Sequence, residues 1–473
     1  MKTLSIDIET YSSNNIAKTG VYKYADANDF QLLIFSYSVD EGPAQLIDLT
    51  QGEKIPPTVL HALNDPTVTK WAYNANFERV CLSHWAQHTG LIAPGQFLNP
   101  QGWKCTMIWA GALGLPPGLA KTAEALQLPT EKMPEGKKLI QKFCTPHTRA
   151  DASLFNPTRN PQNQPGDYPQ DWETFKKYNL RDVEVELAIR EKLQTHPLPE
   201  WVWDQYATDQ TINDNGVHID IPFASKAIET DTTHRRALIA EAETLTGIDN
   251  PNSVQQLRAW LETQGTPLPS LSKATIAEAL ETATGDARRV LEIRQELSRS
   301  STKKYQTMLT VACTDNRARG LLQFYGAART GRWAGRLIQV QNLPQNHIPD
   351  LDNARNLIRD GDTETIELLY DSVPDTLSQL LRTAFIPREG HKFIVADYNA
   401  IEARVLAWLA GQTSTLTAFE QGKDLYCHTA SAMFGVPVEK HGINHQLRQK
   451  GKIAVLACGY GGGPGALKAM GAL

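Results

Sequence analysis

A short apolar run that changes into a helical pattern constrains the fold of this chain most. Residues 393–396 are all apolar and lead directly to an acid, Asp397. The next apolar residues recur three or four positions apart, as on one helix face: Ile401, Val405, Leu406 and Leu409. The pattern predicts a buried strand that leads into a helix. An acid at the end of such a strand can hold a magnesium ion, or it can simply cap the helix that follows.

The length and composition predict a soluble protein of several domains. The chain has 473 residues, more than one core usually supports, so we expect about two to four domains. Its 41% hydrophobic and 21% charged shares are ordinary for soluble proteins. No apolar run of about eighteen residues is present, so no membrane span is expected. The net charge of −5 argues weakly against a nucleic-acid partner, although a basic groove can coexist with an acidic body.

The cysteine pattern and the N-terminal residues indicate a reducing, cytoplasmic environment. The first ten residues place acids inside a strand-like pattern, which is unlike a secretory signal. No C-x-x-C pair occurs, so neither a zinc site nor a disulfide framework is indicated. The six cysteines are Cys81, Cys105, Cys144, Cys313, Cys427 and Cys458.

Two acids lie in a strand-like segment near the start of the sequence. In residues 3–9, aliphatic residues alternate with other residues, so Asp7 and Glu9 project from the same face of the predicted strand. Two neighbouring carboxylates repel each other unless a cation lies between them, and hard oxygen ligands suit such a cation. A solvated strand edge is the alternative interpretation.

Three residues further along the chain extend this acidic set. Tyr178 and Asp182 are four apart in a stretch that predicts a helix from about residue 172 to 193, so they share a helix face. Glu78 follows a strand-like segment. Together with Asp7 and Glu9, these residues resemble the set of four carboxylates and a tyrosine in proofreading 3′–5′ exonucleases. The resemblance covers roughly residues 1–195.

The resemblance implies a site with two divalent metal ions about 3.5–4 Å apart. Asp7, Glu9 and Asp182 would bind Mg²⁺, for which Mn²⁺ can substitute, and Tyr178 would orient the attacking water. Glu78 departs from the family, which usually has aspartate at this position, and its reach is one methylene longer. A surface acid on a helix is the alternative interpretation of Glu78.

Basic and amide side chains in two segments predict contacts with DNA. Lys303 and Lys304 lie in a small, hydroxylated, basic stretch that suits phosphate contacts or a solvated helix face. Between residues 320 and 344, three arginines stand among glycines, and their guanidinium groups match phosphate and base-edge acceptors. The candidates in this segment are Arg329, Arg332, Arg336, Gln339, Gln341 and Asn342. The segment resembles the part of polymerase I that contacts the minor groove of primer–template DNA, where such donors check duplex geometry without reading sequence.

Four residues spaced by four predict a nucleotide-binding row on one helix. Arg448, Lys452, Leu456 and Tyr460 share one helix face. Two cations at one end of the row suit a triphosphate, and a flat or apolar side chain beyond them suits a base. Residues 392–411 and 448–461 together resemble the first two active-site motifs of family A, the polymerase I-like DNA polymerases.

This resemblance implies a role for each matching residue. Asp397 would bind both catalytic Mg²⁺ ions, assisted by the carbonyl of Tyr398. Glu402 would disfavour a ribose 2′-hydroxyl. Leu456 stands where the family has an aromatic residue, and Tyr426 stands where it has a phosphate-contacting histidine.

The resemblances together predict a family A DNA polymerase of phage or prophage type with an N-terminal 3′–5′ exonuclease, in the cytoplasm of a bacterial or phage-infected cell. We expect an α/β fold with a ribonuclease H-like exonuclease domain in residues 1–197, a mostly helical thumb in 198–319, and a partial palm with the start of the fingers in 320–473. The expected partners are primer–template DNA and deoxynucleoside triphosphates.

The third polymerase motif, which brings a second metal-binding carboxylate, does not follow the second one. The sequence is therefore expected to be truncated within the fingers and to need a second polypeptide for polymerisation. The alternatives are a stand-alone 3′–5′ exonuclease and a non-catalytic primer–template binding remnant.

Overall fold

The computed structural model describes residues 1–128, 135–146, 162–299, 301–327, 330–370 and 372–471. Contacts within the chain divide it into two compact units, Met1–Gly390 and His391–Leu473. In the described ranges, no helix is both long and apolar enough to cross a membrane. All six cysteines are free thiols.

The first unit begins with a five-stranded mixed sheet. Its strands are β1 (Thr3–Tyr11), β2 (Gln31–Val39), β3 (Gln45–Asp48), β4 (Thr69–Ala72) and β5 (Trp103–Cys105). The spatial order is β3-β2-β1-β4-β5, in which β1, β2 and β3 pair antiparallel while β4 runs parallel to β1 and β5 parallel to β4. The predicted strand is confirmed as β1, and its aliphatic side chains at 4, 6 and 8 lie in one hydrophobic core, although Ser5 and Glu9 on the other face are buried too.

Seven helices in the described ranges accompany this sheet. They are α1 (Ile16–Ala25), α2 (Pro57–Asn64), α3 (Ala75–His88), α4 (Thr106–Ala112), α5 (Leu119–Ala125), α6 (Gly136–Phe143) and α7 (Pro169–Leu193). The predicted helix at residues 172–193 is confirmed as most of α7, which packs against β1 and β2.

The following part of the first unit is mostly helical, as its sequence predicts. It contains α8 (Glu200–Asn215), β6 (Val217–Ile219), α9 (Ile221–Thr246), α10 (Val254–Thr263), α11 (Lys273–Leu280), α12 (Gly285–Leu297) and α13 (Lys303–Val311). Gly216 ends α8 with a φ of 53°, and a Cβ there would lie 2.4 Å from the Ala318 carbonyl oxygen. Only glycine therefore fits this turn without displacing the backbone.

Short strands and helices complete the first unit. They are β7 (Arg317–Ala318), β8 (Leu322–Ala327), β9 (Arg332–Gly335), α14 (Leu351–Asp360), α15 (Thr363–Tyr370), α16 (Val373–Gln379) and β10 (Phe385–Ile386). Strands β10, β6 and β7 form one small sheet and β8 and β9 form a hairpin. Short 3₁₀ turns lie at Leu49–Gln51, Pro165–Asp167, Val340–Asn342 and Leu381–Ala384.

The described part of the second unit is helical. It contains α17 (Ile401–Leu409), α18 (Thr413–Glu420), α19 (Leu425–Phe434), α20 (Leu447–Gly459) and α21 (Pro464–Ala469).

The predicted buried strand before α17 is wrong. Residues 392–398 form no regular element, and the side chains of Ile394 and Val395 are 88% and 90% exposed. A strand needs a neighbour whose N–H and C=O groups pair with its own. The described residues of the second unit contain no strand that could provide this pairing. Residues 393–396 therefore have the composition of a strand but do not form one. The predicted helix after them is confirmed as α17.

Candidate functional sites

The first candidate site lies where β1, α3 and α7 meet. Asp7 and Glu9 project from β1, opposite Ser36 and Ile34 of β2. The backbone shifts register directly after Glu9. Such a bulge aims the side chains beside it differently from those of a regular strand.

Tyr178 of α7 lies among the acids that the sequence predicts around it. Burial raises the pKa of Tyr178, and the negative charges of Asp182, Glu9 and Asp7 raise it further. The Tyr178 hydroxyl also shares a hydrogen bond with Asp182, one helical turn along α7. The structure thus brings the strand acids of β1 and the helix pair of α7 into one neighbourhood.

Glu78 joins this neighbourhood from the first turn of α3. Its side chain is buried, and burial raises its pKa well above the usual value. A backbone N–H lowers the pKa, and the charges of Glu9 and Glu186 raise it. The interpretation of Glu78 as an exposed surface acid is therefore wrong. Its Oε2 atom is buried and accepts no hydrogen bond from the described residues.

Two further contacts fix the position of these side chains. The Cys144 thiol, at the end of α6, donates to Glu9 Oε2 across 3.6 Å. At the start of α6, Gly136 faces the ring of Tyr178, and a Cβ on Gly136 would lie 2.1 Å from Cε2 of that ring. Helix α6 therefore packs on the acidic neighbourhood with both of its ends.

The acidic neighbourhood does not yet have the geometry of a metal cage. Among the described residues, no three His, Cys, Asp or Glu side chains are arranged so that they could hold an ion.

The second candidate site is the row of side chains on α20 in the second unit. Arg448 pairs with Asp424 at the N-terminus of α19, at 2.8 Å from Nη2 and 3.1 Å from Nε to Oδ2. Its guanidinium also lies 5.1 Å from the centre of the Tyr426 ring. The carboxylate of Asp424 therefore holds the Arg448 guanidinium in place. The same guanidinium is the one that the sequence predicts to bind an anion.

The other members of the row extend along the same helix. Lys452 and Leu456 are half-buried, and Tyr460 follows the last residue of α20. The Tyr460 hydroxyl donates to the Glu402 carboxylate of α17, so the predicted end of the row and the predicted steric gate are in contact. Asp397 is exposed, and no hydrogen bond or ion pair joins it to α20.

Helices α19 and α20 approach each other closely at a glycine. A Cβ on Gly451 would lie 2.2 Å from the Tyr426 carbonyl oxygen and 2.9 Å from the Ala430 side chain. The absence of a side chain at Gly451 therefore sets the distance between the Arg448 row and Tyr426.

The predicted DNA-binding side chains lie on the surface of the first unit. Arg329 falls outside the described residues. Lys304 is half-buried, and the others are exposed: Lys303, Arg332, Arg336, Gln339, Gln341 and Asn342. They lie on α13, on β9 and on the turn that follows the β8–β9 hairpin.

A buried carboxylate anchors this hairpin. The Trp333 indole donates to Asp209 Oδ1 at 2.8 Å. Gln210 and Asn213 donate to Asp209 Oδ2 at 3.0 and 3.2 Å. Burial raises the pKa of Asp209 to about 6, although these three donors lower it. The hairpin that carries Arg332 is therefore held to α8 by a group that titrates near neutrality.

Comparison with known proteins identifies the family of this chain. Residues 224–470 match the family model described as DNA polymerase family A. The chain is 50% identical to the DNA polymerase of Bacillus phage SP02 over 476 residues, which are 100% of this chain and 71% of that protein. The chain belongs to DNA polymerase family A.

More distant relatives match shorter stretches. DNA polymerase I of Rhizobium leguminosarum is 48% identical over 81 residues, 17% of this chain and 8% of that protein. Thermostable DNA polymerase I of Thermus aquaticus is 40% identical over 85 residues, 18% of this chain and 10% of that protein. Among solved structures, the POL domain of Pol1 from M. smegmatis in complex with DNA primer–template and dNTP matches with a TM-score of 0.54 and 17% identity, over 98% of this chain and 71% of that one. This similarity confirms an α/β fold like that of a polymerase I POL domain.

Three residues near Tyr178 were missed by the sequence reasoning. Asn179 is buried and donates to Asp7 Oδ2. Glu186 is buried one turn beyond Asp182 and accepts from Thr106. Helical spacing from Asp182 gives a signal for Glu186, and adjacency to Tyr178 gives one for Asn179. The third residue, Cys144, carries no such signal, because only the tertiary fold brings it to Glu9.

Proposed function

We propose that this family A member is a DNA-directed DNA polymerase that also carries a 3′–5′ exonuclease in residues 1–197, followed by a thumb in 198–319 and palm and fingers segments in 320–473. The strand order β3-β2-β1-β4-β5, with three antiparallel strands and two parallel ones, supports a ribonuclease H-like topology for the exonuclease. The polymerase activity is proposed from the family membership and from the α20 row. We assign the activity to this chain and leave out the second polypeptide expected from the sequence, for which neither the family match nor the similar structure gives support.

The observation that carries the exonuclease proposal is the meeting of Asp7, Glu9 and Asp182 around Tyr178, with the buried Glu78 beside Glu9. Burial raises the pKa of Glu78, and the charge of Glu9 raises it further, because two nearby negative charges repel. The oxygen-only donor set of Asp7, Glu9 and Asp182 suits a hard divalent cation, and a bound cation would relieve this repulsion. The buried Oε2 of Glu78 has no hydrogen-bond partner among the described residues, so it too has capacity for a ligand. The chemistry of these oxygen donors therefore suits Mg²⁺ or Mn²⁺, whereas the arrangement of the described residues in this structure is not that of a formed metal cage.

Each side chain of this site has a distinct proposed task. A pair of divalent metals, when bound, would supply an activated water and stabilise charge on the phosphate. Tyr178, held by Asp182, orients the attacking water through its hydroxyl. Asn179 keeps the Asp7 carboxylate in one orientation. Burial of Glu78 excludes bulk water from the inner side of the site.

In the second unit, the α20 row is proposed to bind the incoming nucleotide. Arg448 and Lys452 supply positive charge for a triphosphate, and Leu456 offers an apolar surface to the base. The hydrogen bond from Tyr460 to Glu402 joins the end of α20 to α17. Glu402 therefore lies at the Tyr460 end of the row, where the sugar of the nucleotide is proposed to lie. Asp397, with the Tyr398 carbonyl, is the proposed metal ligand for nucleotidyl transfer.

The two activities are tested with one pair of variants. Full-length chain is given a 5′-labelled single strand, or a primer–template with dNTPs, in Mg²⁺. Asp7→Ala should abolish nucleotide release from the 3′ end and leave incorporation intact. Asp397→Ala should abolish incorporation and leave release intact.

Each variant is the control for the other, because a general folding defect would lower both activities. Release that persists in Asp7→Ala would refute the exonuclease proposal. Absence of templated incorporation by the unmodified chain would refute the polymerase proposal for this chain and favour the stand-alone exonuclease.

A further inference from the structure

A cavity of about 740 Å³ lies between the N-terminal part of the first unit and its β8–β9 hairpin. Its walls come from α1, the start of α3, α4, α8 and the hairpin with the turn that follows it. Ligand-binding cavities usually measure about 300–1,000 Å³, so one nucleotide fits here.

The charged lining of the cavity suits an anion. Lys18 comes from α1, and Arg336 comes from the segment after β9. The acid in the lining is Asp209, whose two oxygens already accept from three side chains. The cavity therefore presents two cations from separate segments of the chain and one engaged acid.

The remaining polar lining suits a heterocyclic base. Four amide side chains contribute donors and acceptors of the kind that pair with base edges: Asn74, Asn76, Gln323 and Gln339. Tyr206 and Phe324 also border the cavity, but their rings are only 2% and 5% exposed and offer a base no open face.

Two buried polar atoms in the lining lack partners. Asn76 Oδ1 and the hydroxyl of Tyr206 are buried and make no hydrogen bond to any described residue. Tyr206 is only 2% exposed. A buried polar group left unpaired costs about 1–3 kcal/mol, and both atoms are closed off from water, so either gains a partner only if its side chain turns towards a ligand in the cavity.

We propose that this cavity binds a single nucleotide, with its phosphate between Lys18 and Arg336 and its base among the amides. The nucleotide is either one unpaired nucleotide of a DNA strand or a free nucleoside monophosphate. Asn74 and Asn76 lie in the turn of α3 that precedes Glu78, so a strand held here has its next nucleotide near the acidic neighbourhood. The role of the site in strand cleavage rests on the proposed exonuclease, whereas binding itself does not.

The test measures binding without turnover. Full-length chain in EDTA is titrated with a short oligothymidylate and, separately, with dTMP. Ala17→Trp places an indole in the cavity from an exposed position of α1 and should weaken nucleotide binding at least about tenfold. Ala237→Trp, at an exposed position of α9 outside the cavity, is the matched control and should bind as the unmodified chain does.

Further variants separate the two sources of the nucleotide. Asn76→Ala should weaken the same ligand as Ala17→Trp, and Lys18→Ala should reduce the salt dependence of that binding by about one phosphate contact. Weakening of the oligothymidylate assigns the cavity to a DNA strand, and weakening of dTMP alone assigns it to free nucleotide. If neither ligand distinguishes Ala17→Trp and Asn76→Ala from Ala237→Trp, the proposal is overturned. Loss of the exonuclease proposal through Asp7→Ala would leave these binding results unchanged.

Discussion

The raised pKa of Asp209 predicts that this one group destabilises the fold increasingly as the pH rises towards neutrality. The group has a pKa of about 6 in the folded protein against its usual 3.8. Between these values the folded state holds a proton that the unfolded state has released, so the free energy of unfolding falls as the pH rises. The destabilisation is absent below pH 3.8 and complete above about pH 6.

The size of this effect follows from the pKa difference. One pKa unit corresponds to about 1.4 kcal/mol, so a shift of about two units contributes about 3 kcal/mol. Asp209→Asn removes the ionisation and with it this slope. The new amide oxygen can still accept from Trp333, while its NH₂ faces the donors of Gln210 and Asn213. That mismatch lowers stability by an amount that does not depend on pH, so the slope identifies the effect better than the absolute stability does.

The assay is urea unfolding followed by tryptophan fluorescence from pH 4 to 7.5. The stability of the unmodified chain relative to Asp209→Asn should fall by about 3 kcal/mol across this range. Asp204→Asn changes an exposed acid on the same helix and should leave the pH profile unchanged. Parallel profiles for the unmodified chain and Asp209→Asn would show that burial does not raise this pKa.

Three other substitutions follow from close packing. Gly136→Ala should push the Tyr178 ring out of place. Because a small displacement at a reacting centre is costly, the rate constant of 3′-nucleotide release should fall about 100-fold, with primer extension unchanged. An unchanged release rate would contradict the assigned role of the ring. Arg79→Lys should lower the free energy of unfolding in urea by about 3–5 kcal/mol. The buried guanidinium holds Asp214 with two nitrogens at 3.0 and 2.6 Å, which a lysine cannot do. A loss below about 1 kcal/mol, the value of a surface pair, would contradict this prediction. Gly451→Ala should separate α19 from α20 and raise the KM for dNTP, measured in primer extension, while leaving 3′-nucleotide release as a control unaffected.

The parts of the fold that the sequence predicts correctly depend on near neighbours. The alternation in β1 and the helix that carries Tyr178 are encoded by spacing within a few residues. Ser253 caps α10 by accepting from the Gln256 N–H, which is also a contact between near neighbours in the sequence. The positive φ of Gly216 is a local feature, whereas the Ala318 carbonyl oxygen that leaves no room for a Cβ there is distant in sequence.

The parts that fail depend on partners distant in sequence. The apolar run at residues 393–396 has the composition of a strand, but a strand exists only where another one pairs with it. Gly136 and Cys144 carry no local signal for contact with the acidic neighbourhood, since they reach it through the packing of α6. The spacing of residues along the sequence cannot predict such contacts, because neither of the two contacting residues changes the pattern of the residues next to it.

The convergence of the acids is an intermediate case, because local signals and topology must agree. Spacing places Asp7 with Glu9 and Tyr178 with Asp182, but only the strand order relates the two pairs. Strand β4 lies beside β1 and runs parallel to it, so the helix that follows β4 begins at the same edge of the sheet at which β1 ends. Glu78, in the first turn of that helix, therefore reaches the strand acids. The helical spacing that places Tyr178 and Asp182 on one face of α7 also places a further buried acid, Glu186, one turn beyond Asp182. Glu186 could therefore have been predicted from the same spacing, although it is not part of the set of four carboxylates and a tyrosine.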